Sequence, residues 1–200
     1  MIGRDSCWME LFDIVNEDDQ VIGQASRSAC HGDPALVHRV AHVHVFNRRG
    51  ELLLQKRSQQ KDIQPGKWDT SVGGHLDRGE TYLHAARREM AEELGLTGVP
   101  LTFLYASKIR NEVESENIAT YLAVAEGPFR FSREEIDEVR FWPADDIEAV
   151  LQRGIFTPNF EDEWQLLKEW QRKYPQSPDA PLAFCAGDSM PNLLLDIERR

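Results

Sequence analysis

The stretch that most constrains this 200-residue chain is residues 74–96, GHLDRGETYLHAARREMAEELGL. Two adjacent glycines, Gly73 and Gly74, break an extended pattern, and a helix is expected from Thr81 to Leu94. Thr81 supplies a hydroxyl N-cap, and Gly95 stands where a helix end favours a left-handed residue. Leu83, Ala86, Met90 and Leu94 recur at helical spacing, which gives the helix an apolar stripe to bury. Glu89, Glu92 and Glu93 sit at i, i+3 and i+4, so their carboxylates share one face beside that stripe. Like charges so placed destabilise a bare helix by a few tenths of a kcal/mol per pair. A hard divalent cation, which prefers oxygen ligands, would offset that repulsion. Arg88 can brace a carboxylate through a forked pair of hydrogen bonds. Taken alone, these four residues also fit an ordinary solvated, charged helix face.

Around this unit the chain alternates strands and helices without a regular βαβ order. Extended segments are expected at Glu10–Val15, near Val21-Ile22, and at Arg39–Phe46, where Val43 and Val45 point one way and His42 and His44 the other. Asn47-Arg48-Arg49-Gly50 reads as the turn of a hairpin whose second strand is Glu51–Arg57. Further strands are expected at Trp68–Val72, Leu101–Ile109, Ile118–Val124 and Glu138–Trp142. Two helices follow, Ala144–Leu151 and Glu161–Tyr174. This order implies an α+β fold with helices packed on a mixed sheet. It is read as one domain over residues 1–175, followed by a C-terminal tail, 176–200, in which Leu193-Leu194-Leu195 suggests docking on something.

Composition narrows the function. The chain is 41% hydrophobic and 28% charged, as expected of a soluble protein with a real core. No run approaches the roughly 20 apolar residues of a membrane span, and Met1–Glu10 holds no secretory core. A cytoplasmic protein without a membrane partner is the expectation. Cys7, Cys30 and Cys185 are scattered and odd in number, which fits reduced thiols and neither a disulfide framework nor a cysteine zinc site. A formal net charge of −11 disfavours a nucleic-acid polymer as partner. It leaves open a small phosphorylated ligand held by a few local cations.

The fixed positions Gly74, Glu80, Arg88-Glu89, Met90, Glu92-Glu93, Gly95 and Leu96 spell GX₅EX₇REUXEEXGU. This resembles the Nudix box, the signature of the Nudix superfamily. The resemblance implies an α/β/α sandwich that hydrolyses a small diphosphate with Mg²⁺ or Mn²⁺. It implies a metal site at Glu92, Glu93 and the Gly73 carbonyl, and Glu89 as a further ligand or the base that activates water. Arg88 would orient a catalytic carboxylate, and Glu80 would support the loop–helix unit. An additional acid from outside the box is expected among Glu134, Glu135 and Glu138. By family analogy a homodimer is expected.

The sequence upstream, including His38-Arg39-Val40-Ala41, Leu52–Arg57, Pro65-Gly66, Trp68 and Ser71–His75, is similar to the type I isopentenyl diphosphate isomerases and their hydrolase-like relatives. That similarity implies a second divalent-metal site at His31, His38 and His75, with Arg57 and Lys61 contacting a substrate diphosphate. The same residues also fit ordinary strand histidines and a solvated hairpin edge. The isomerases carry a catalytic cysteine where this chain has Gly73, and their box is degraded where this one is intact. Both departures favour hydrolysis over isomerisation. A non-catalytic sensor of a phosphorylated ligand is a third reading, and it would be expected to have lost box acids.

Overall fold

A computed structural model describes residues 10–174 and the backbone of 194–196. A hairpin opens it: β1 (Leu11–Val15) pairs antiparallel with β2 (Val21–Ser26) to form a separate two-stranded sheet. Asn16 makes the turn, its Oδ1 accepting from the amides of Asp18 and Gln20. Phe12 and Ile14 face inward against Cys30 of the single-turn helix α1 (Arg27–Cys30). Cys30 is a buried free thiol; Cys7 and Cys185 lie outside the described residues.

The main sheet has eight strands and is mixed. Its centre is β3 (Val37–Phe46), which runs parallel to β8 (Ser115–Val124) and antiparallel to β6 (Val72–His75). On the far side of β8 lies β7 (Thr102–Arg110), and the backbone of a short strand at Leu194–Asp196 pairs parallel to β7. On the other flank, β4 (Leu52–Arg57) closes the Asn47–Gly50 turn and pairs with β5 (Trp68–Asp69) and β9 (Ile136–Trp142).

Strand alternation sorts the core into two layers. Ala41, Val43 and Val45 of β3, with Leu53 of β4, pack against Ala85, Ala86, Met90 and Leu94 of α2 (Tyr82–Leu94). Phe46, Leu52 and Leu54 point the other way, into Ile147 of α3 (Ala144–Val150) and Phe160, Trp164, Leu167 and Trp170 of α4 (Pro158–Lys173). The result is the α+β arrangement expected, with helices on both faces of a mixed sheet.

Several boundaries differ from the expected ones, each for a physical reason. The segment expected as one strand at Trp68–Val72 splits, because Trp68-Asp69 pairs with β4 whereas Val72 onward pairs with β3. Gly73 and Gly74 do not break the strand; they lie within β6, opposite His42 and Ala41. β8 starts at Ser115 rather than Ile118, because Glu116 is buried in the strand beside histidines. α4 starts at Pro158, with the Thr157 hydroxyl accepting from the Phe160 amide. Proline suits that first turn because its missing N–H would have had no helical partner.

Candidate active site

The box folds as a strand, a loop and a helix locked by one arginine. Thr81 caps α2 by accepting from the His84 amide, and Gly95, with φ of 68°, ends it while the Leu96 amide donates back to Met90. On this frame Arg88 donates through Nε and Nη2 to the two oxygens of Glu80, at 3.2 and 2.9 Å. Its Nη2 also reaches the His75 carbonyl at 2.9 Å, and its Nη1 the Glu89 carboxylate at 2.6 Å. Glu80 in turn accepts from the Asp77 amide at 2.9 Å. Burial pushes the Glu80 carboxyl up, yet the Arg88 fork more than offsets this and holds it below the usual range. Glu80 therefore clamps the loop to the helix through Arg88.

The three acids on the helix face behave differently from one another. Glu89 lies over the bare α-carbon of Gly74, where an added Cβ would come within 2.0 Å of its carboxyl carbon. Burial raises its pKa against the pull of Arg88. Glu93 turns to the neighbouring residue: its Oε2 accepts from the Gly73 amide at 3.3 Å and from Gln55 Nε2 at 3.2 Å. Burial, reinforced by the nearby Glu89 charge, pushes Glu93 up to about 8. Glu92 is 60% exposed and reaches only Arg88, at 3.3 Å. Two carboxyls whose pKa values burial raises thus converge on the Gly73-Gly74 backbone. Such perturbed carboxyls mark sites built for charge.

The second constellation comes from distant segments. The ligand atoms of His31, His38 and His75 lie within 4.8 Å of one another, and among the described residues no other set of three ligating side chains does so. His31 Nδ1 contacts Glu114 at 2.7 Å and His38 Nδ1 the Leu36 carbonyl at 3.4 Å, contacts that leave each Nε2 facing the centre. All three Nε2 atoms are buried without a hydrogen bond. Glu116 Oε1 stands 3.4 Å from His38 Nε2 and 3.7 Å from His75 Nε2, ion-pair distances at which no well-formed hydrogen bond is made. Burial raises the Glu116 carboxyl, but the two histidines outweigh it and hold the group well below the usual range. Phe12 stacks on His75 and His38, with ring centroids at 4.5 and 5.4 Å, and closes one side of the cluster. Arg27 Nη1 approaches His75 Nδ1 at 3.3 Å from the exposed side.

A third group borders Gly73. On the β3 face expected for them, His42 and His44 point away from α2. His42 Nδ1 bonds the Glu163 carboxylate of α4, which is 5% exposed. Burial opposes charge on His42, but Glu163 overrides it and lifts the imidazole to about 9. His44 reaches Tyr105 Oη at 3.2 Å and is held below its ordinary pKa by burial.

Arg57 and Lys61, expected at the substrate, each pair with an acid in this structure. Arg57 donates to Asp69 at 3.2 Å and to the Ile63 carbonyl at 3.0 Å. Lys61 pairs with Glu135. Glu138 is exposed and pairs in the sheet with Lys56, one position out of phase with the Gln55 that reaches Glu93. It therefore faces the opposite side of the sheet from Gln55. Sequence reasoning missed Glu114, Glu116, Gln55 and Glu163. Only Glu116 carried a usable signal, as an acid two residues before an apolar strand run, and the others are joined to their partners solely by the fold.

Residues 36–160 match the NUDIX domain. The chain belongs to the Nudix family. It is 39% identical over 153 residues to an uncharacterised Nudix hydrolase of Yersinia pestis, covering 76% of this chain and 81% of that one. It is 35% identical over 168 residues to the uncharacterised Nudix hydrolase YfcD of Escherichia coli (strain K12), covering 82% and 88%. Among solved structures, DR0079 from Deinococcus radiodurans superposes with a TM-score of 0.67 at 28% identity, over 80% of this chain and 98% of that one. These relatives place the chain among Nudix hydrolases, enzymes that generally use divalent metals. No helix among the described residues is long and apolar enough to cross a membrane.

Proposed function

We propose that this Nudix hydrolase cleaves a diphosphate linkage in a small organic substrate, with Mg²⁺ or Mn²⁺ as cofactor. The observation that carries the reading is the convergence of Glu89 and Glu93 on the Gly73-Gly74 backbone, with Arg88, itself held by Glu80, bracing Glu89. The residues present fit a hard cation. Glu93 is a half-buried carboxyl that holds its proton until a stronger charge displaces it. Glu93, Glu89 and the Gly73 carbonyl would hold the ion, with the exposed Glu92 free to swing in from the rim. When bound, the ion neutralises phosphoryl oxygens and makes a coordinated water more acidic.

The chain's own residues do the rest. Glu89 accepts a proton from the attacking water, and Arg88 fixes which of its oxygens faces the cleft. The water oxygen bonds to phosphorus as the bridging P–O bond breaks, giving two phosphorylated or monophosphate products. Isomerisation of an isoprenoid diphosphate is disfavoured, because Gly73 carries no thiol to exchange a proton with carbon. A phosphate-release screen over nucleoside, sugar-nucleotide, coenzyme and prenyl diphosphates should show turnover with Mg²⁺ or Mn²⁺ and none in excess chelator. Conversion of isopentenyl diphosphate to its allylic isomer without phosphate release would overturn the hydrolytic reading.

The three histidines form the second metal site of the proposal, with Glu116 completing the donor set. The three orphaned Nε2 atoms fit a borderline divalent ion, and the Nδ1 contacts of His31 and His38 set their tautomers. On binding, His75 would give up its contact with the exposed Arg27. Titration with Co²⁺ should show a site whose affinity drops by roughly a hundredfold or more in His31→Ala, since even partners of metal ligands matter on that scale. Equal affinity in the two proteins would remove this site from the account.

A further inference from the structure

The carboxylate–imidazole pair of Glu163 and His42 takes no part in either constellation above. Its simplest role is to pin α4 to the sheet. Yet α4 is already anchored by Phe160, Trp164, Leu166, Leu167 and Trp170, all nearly fully buried. The placement of the ring suggests more. His42 sits directly across the sheet from Gly73, and a Cβ built on Gly73 would meet its Cδ2 at 3.0 Å and its Nε2 at 3.1 Å. The imidazole therefore fills the space into which a side chain at position 73 would project.

Gly73 is consequently flanked twice. Glu93 takes its amide, and His42 lies over its α-carbon. With Nδ1 committed to Glu163, the ring's remaining nitrogen is Nε2, and the side chain keeps 12% of its surface exposed. A buried carboxylate behind the ring holds it turned in one direction, the same logic by which a carboxylate orients a catalytic histidine.

We propose that His42 is a substrate-contacting residue, whose Nε2 hydrogen-bonds to a phosphoryl oxygen of the diphosphate bound over Gly73, and that Glu163 is its positioning residue. This rests on the reading of the site as a diphosphate hydrolase. It gives the diphosphate a hydrogen-bond donor on the side of Gly73 turned away from α2, while Arg88 is bonded to carboxylates and Arg57 to Asp69. It also supplies a second reason for glycine at 73: any larger residue would displace the ring.

The test uses the full chain and methylenediphosphonate, a diphosphate that cannot be hydrolysed, titrated calorimetrically with Mg²⁺ present. His42→Asn is the informative variant, because the asparagine amide can still bond Glu163 from the position of Nδ1 while nothing replaces Nε2. The wild type should bind, and His42→Asn should bind roughly tenfold or more weakly, the scale of one charge-assisted hydrogen bond, while melting within a few degrees of wild type. Glu163→Gln should weaken binding by a smaller factor. Binding by wild type and His42→Asn alike overturns the assignment of His42 and leaves the hydrolase reading standing. No binding by the wild type overturns the diphosphate site itself. Should the variants fail to fold, ¹⁵N signals of the His42 ring in the wild type decide the matter: a shift of Nε2 on adding methylenediphosphonate supports the contact, and an unchanged signal overturns it.

Discussion

Glu93→Gln should sharply reduce turnover and, at the same time, raise the melting temperature of the metal-free protein. The two effects have one origin. Glu93 is held among Gly73, Gln55 and Glu89 where burial lifts its pKa from an ordinary 4.5 to about 8. A carboxyl whose folded pKa lies above its unfolded value favours folding fully only below the unfolded value, near 4.5, and loses that contribution as pH rises through the folded value, near 8. At neutral pH the folded metal-free protein therefore carries a penalty, which one pK unit at about 1.4 kcal/mol and an allowance for partial exposure put at about 2–3 kcal/mol. Glutamine fills the same space, keeps the Gly73 amide partnered and carries no charge. The variant should melt roughly 5 °C higher at pH 8 without metal, on the usual scaling for a chain of this size. Its melting temperature should also change less than the wild type's between pH 6 and 9. Activity should fall on the order of a thousandfold, the scale on which loss of transition-state charge stabilisation is felt. Thermal melts in chelator across that pH range, beside metal-supported turnover, check both halves. A variant that melts lower than wild type at pH 8 would show that Glu93 is not strained by its surroundings.

The second large effect is expected from Gly74→Ala, and it separates function from stability. The added Cβ would come within 2.0 Å of the Glu89 carboxyl carbon and 2.1 Å of its Oε1. The obstacle is the end of a flexible side chain rather than backbone, so Glu89 can swing away and the strand pairing of β6 with β3 can persist. The melting temperature should change by only a few degrees. Turnover should fall by about a hundredfold or more, because a displacement of about 1 Å in a positioned catalytic group is enough for that. Rescue of activity by shortening the acid, in Gly74→Ala with Glu89→Asp, would confirm that the lost element is the position of the carboxylate. Unchanged turnover in the single variant would remove Glu89 from the chemistry.

The box was legible in the sequence because everything it needs is local. A hydroxyl cap, an apolar stripe, a left-handed glycine and three acids at fixed offsets all fall within residues 74–96, and local spacing determines them. The core layer under α2 was readable for the same reason, from the alternation of β3 and the helical spacing of α2. What distinguished the acids from one another was not readable. Glu89, Glu92 and Glu93 are equivalent on a helical wheel, yet Gly74 lies under one, Gly73 and Gln55 hold another, and solvent takes the third. The glycines themselves misled in a useful way. Read as strand breakers, Gly73 and Gly74 instead continue β6, and they are glycines because His42 and Glu89 occupy the space a side chain would need. The acids that complete the histidine groups, Glu114, Glu116 and Glu163, come from segments 83 to 121 residues away from a partner or from a neighbouring strand, where spacing carries no information.

The central claim is that Glu89 and Glu93, gathered on the Gly73-Gly74 backbone, hold the ion that grips the diphosphate. Crystals grown with Mn²⁺ and methylenediphosphonate test it through the anomalous scattering of manganese. An anomalous peak within coordinating distance of Glu93 and Glu89, with phosphonate oxygens reaching both that ion and His42, is the predicted result. Manganese at His31, His38 and His75 alone, with Glu93 still bonded only to Gly73 and Gln55, would contradict it.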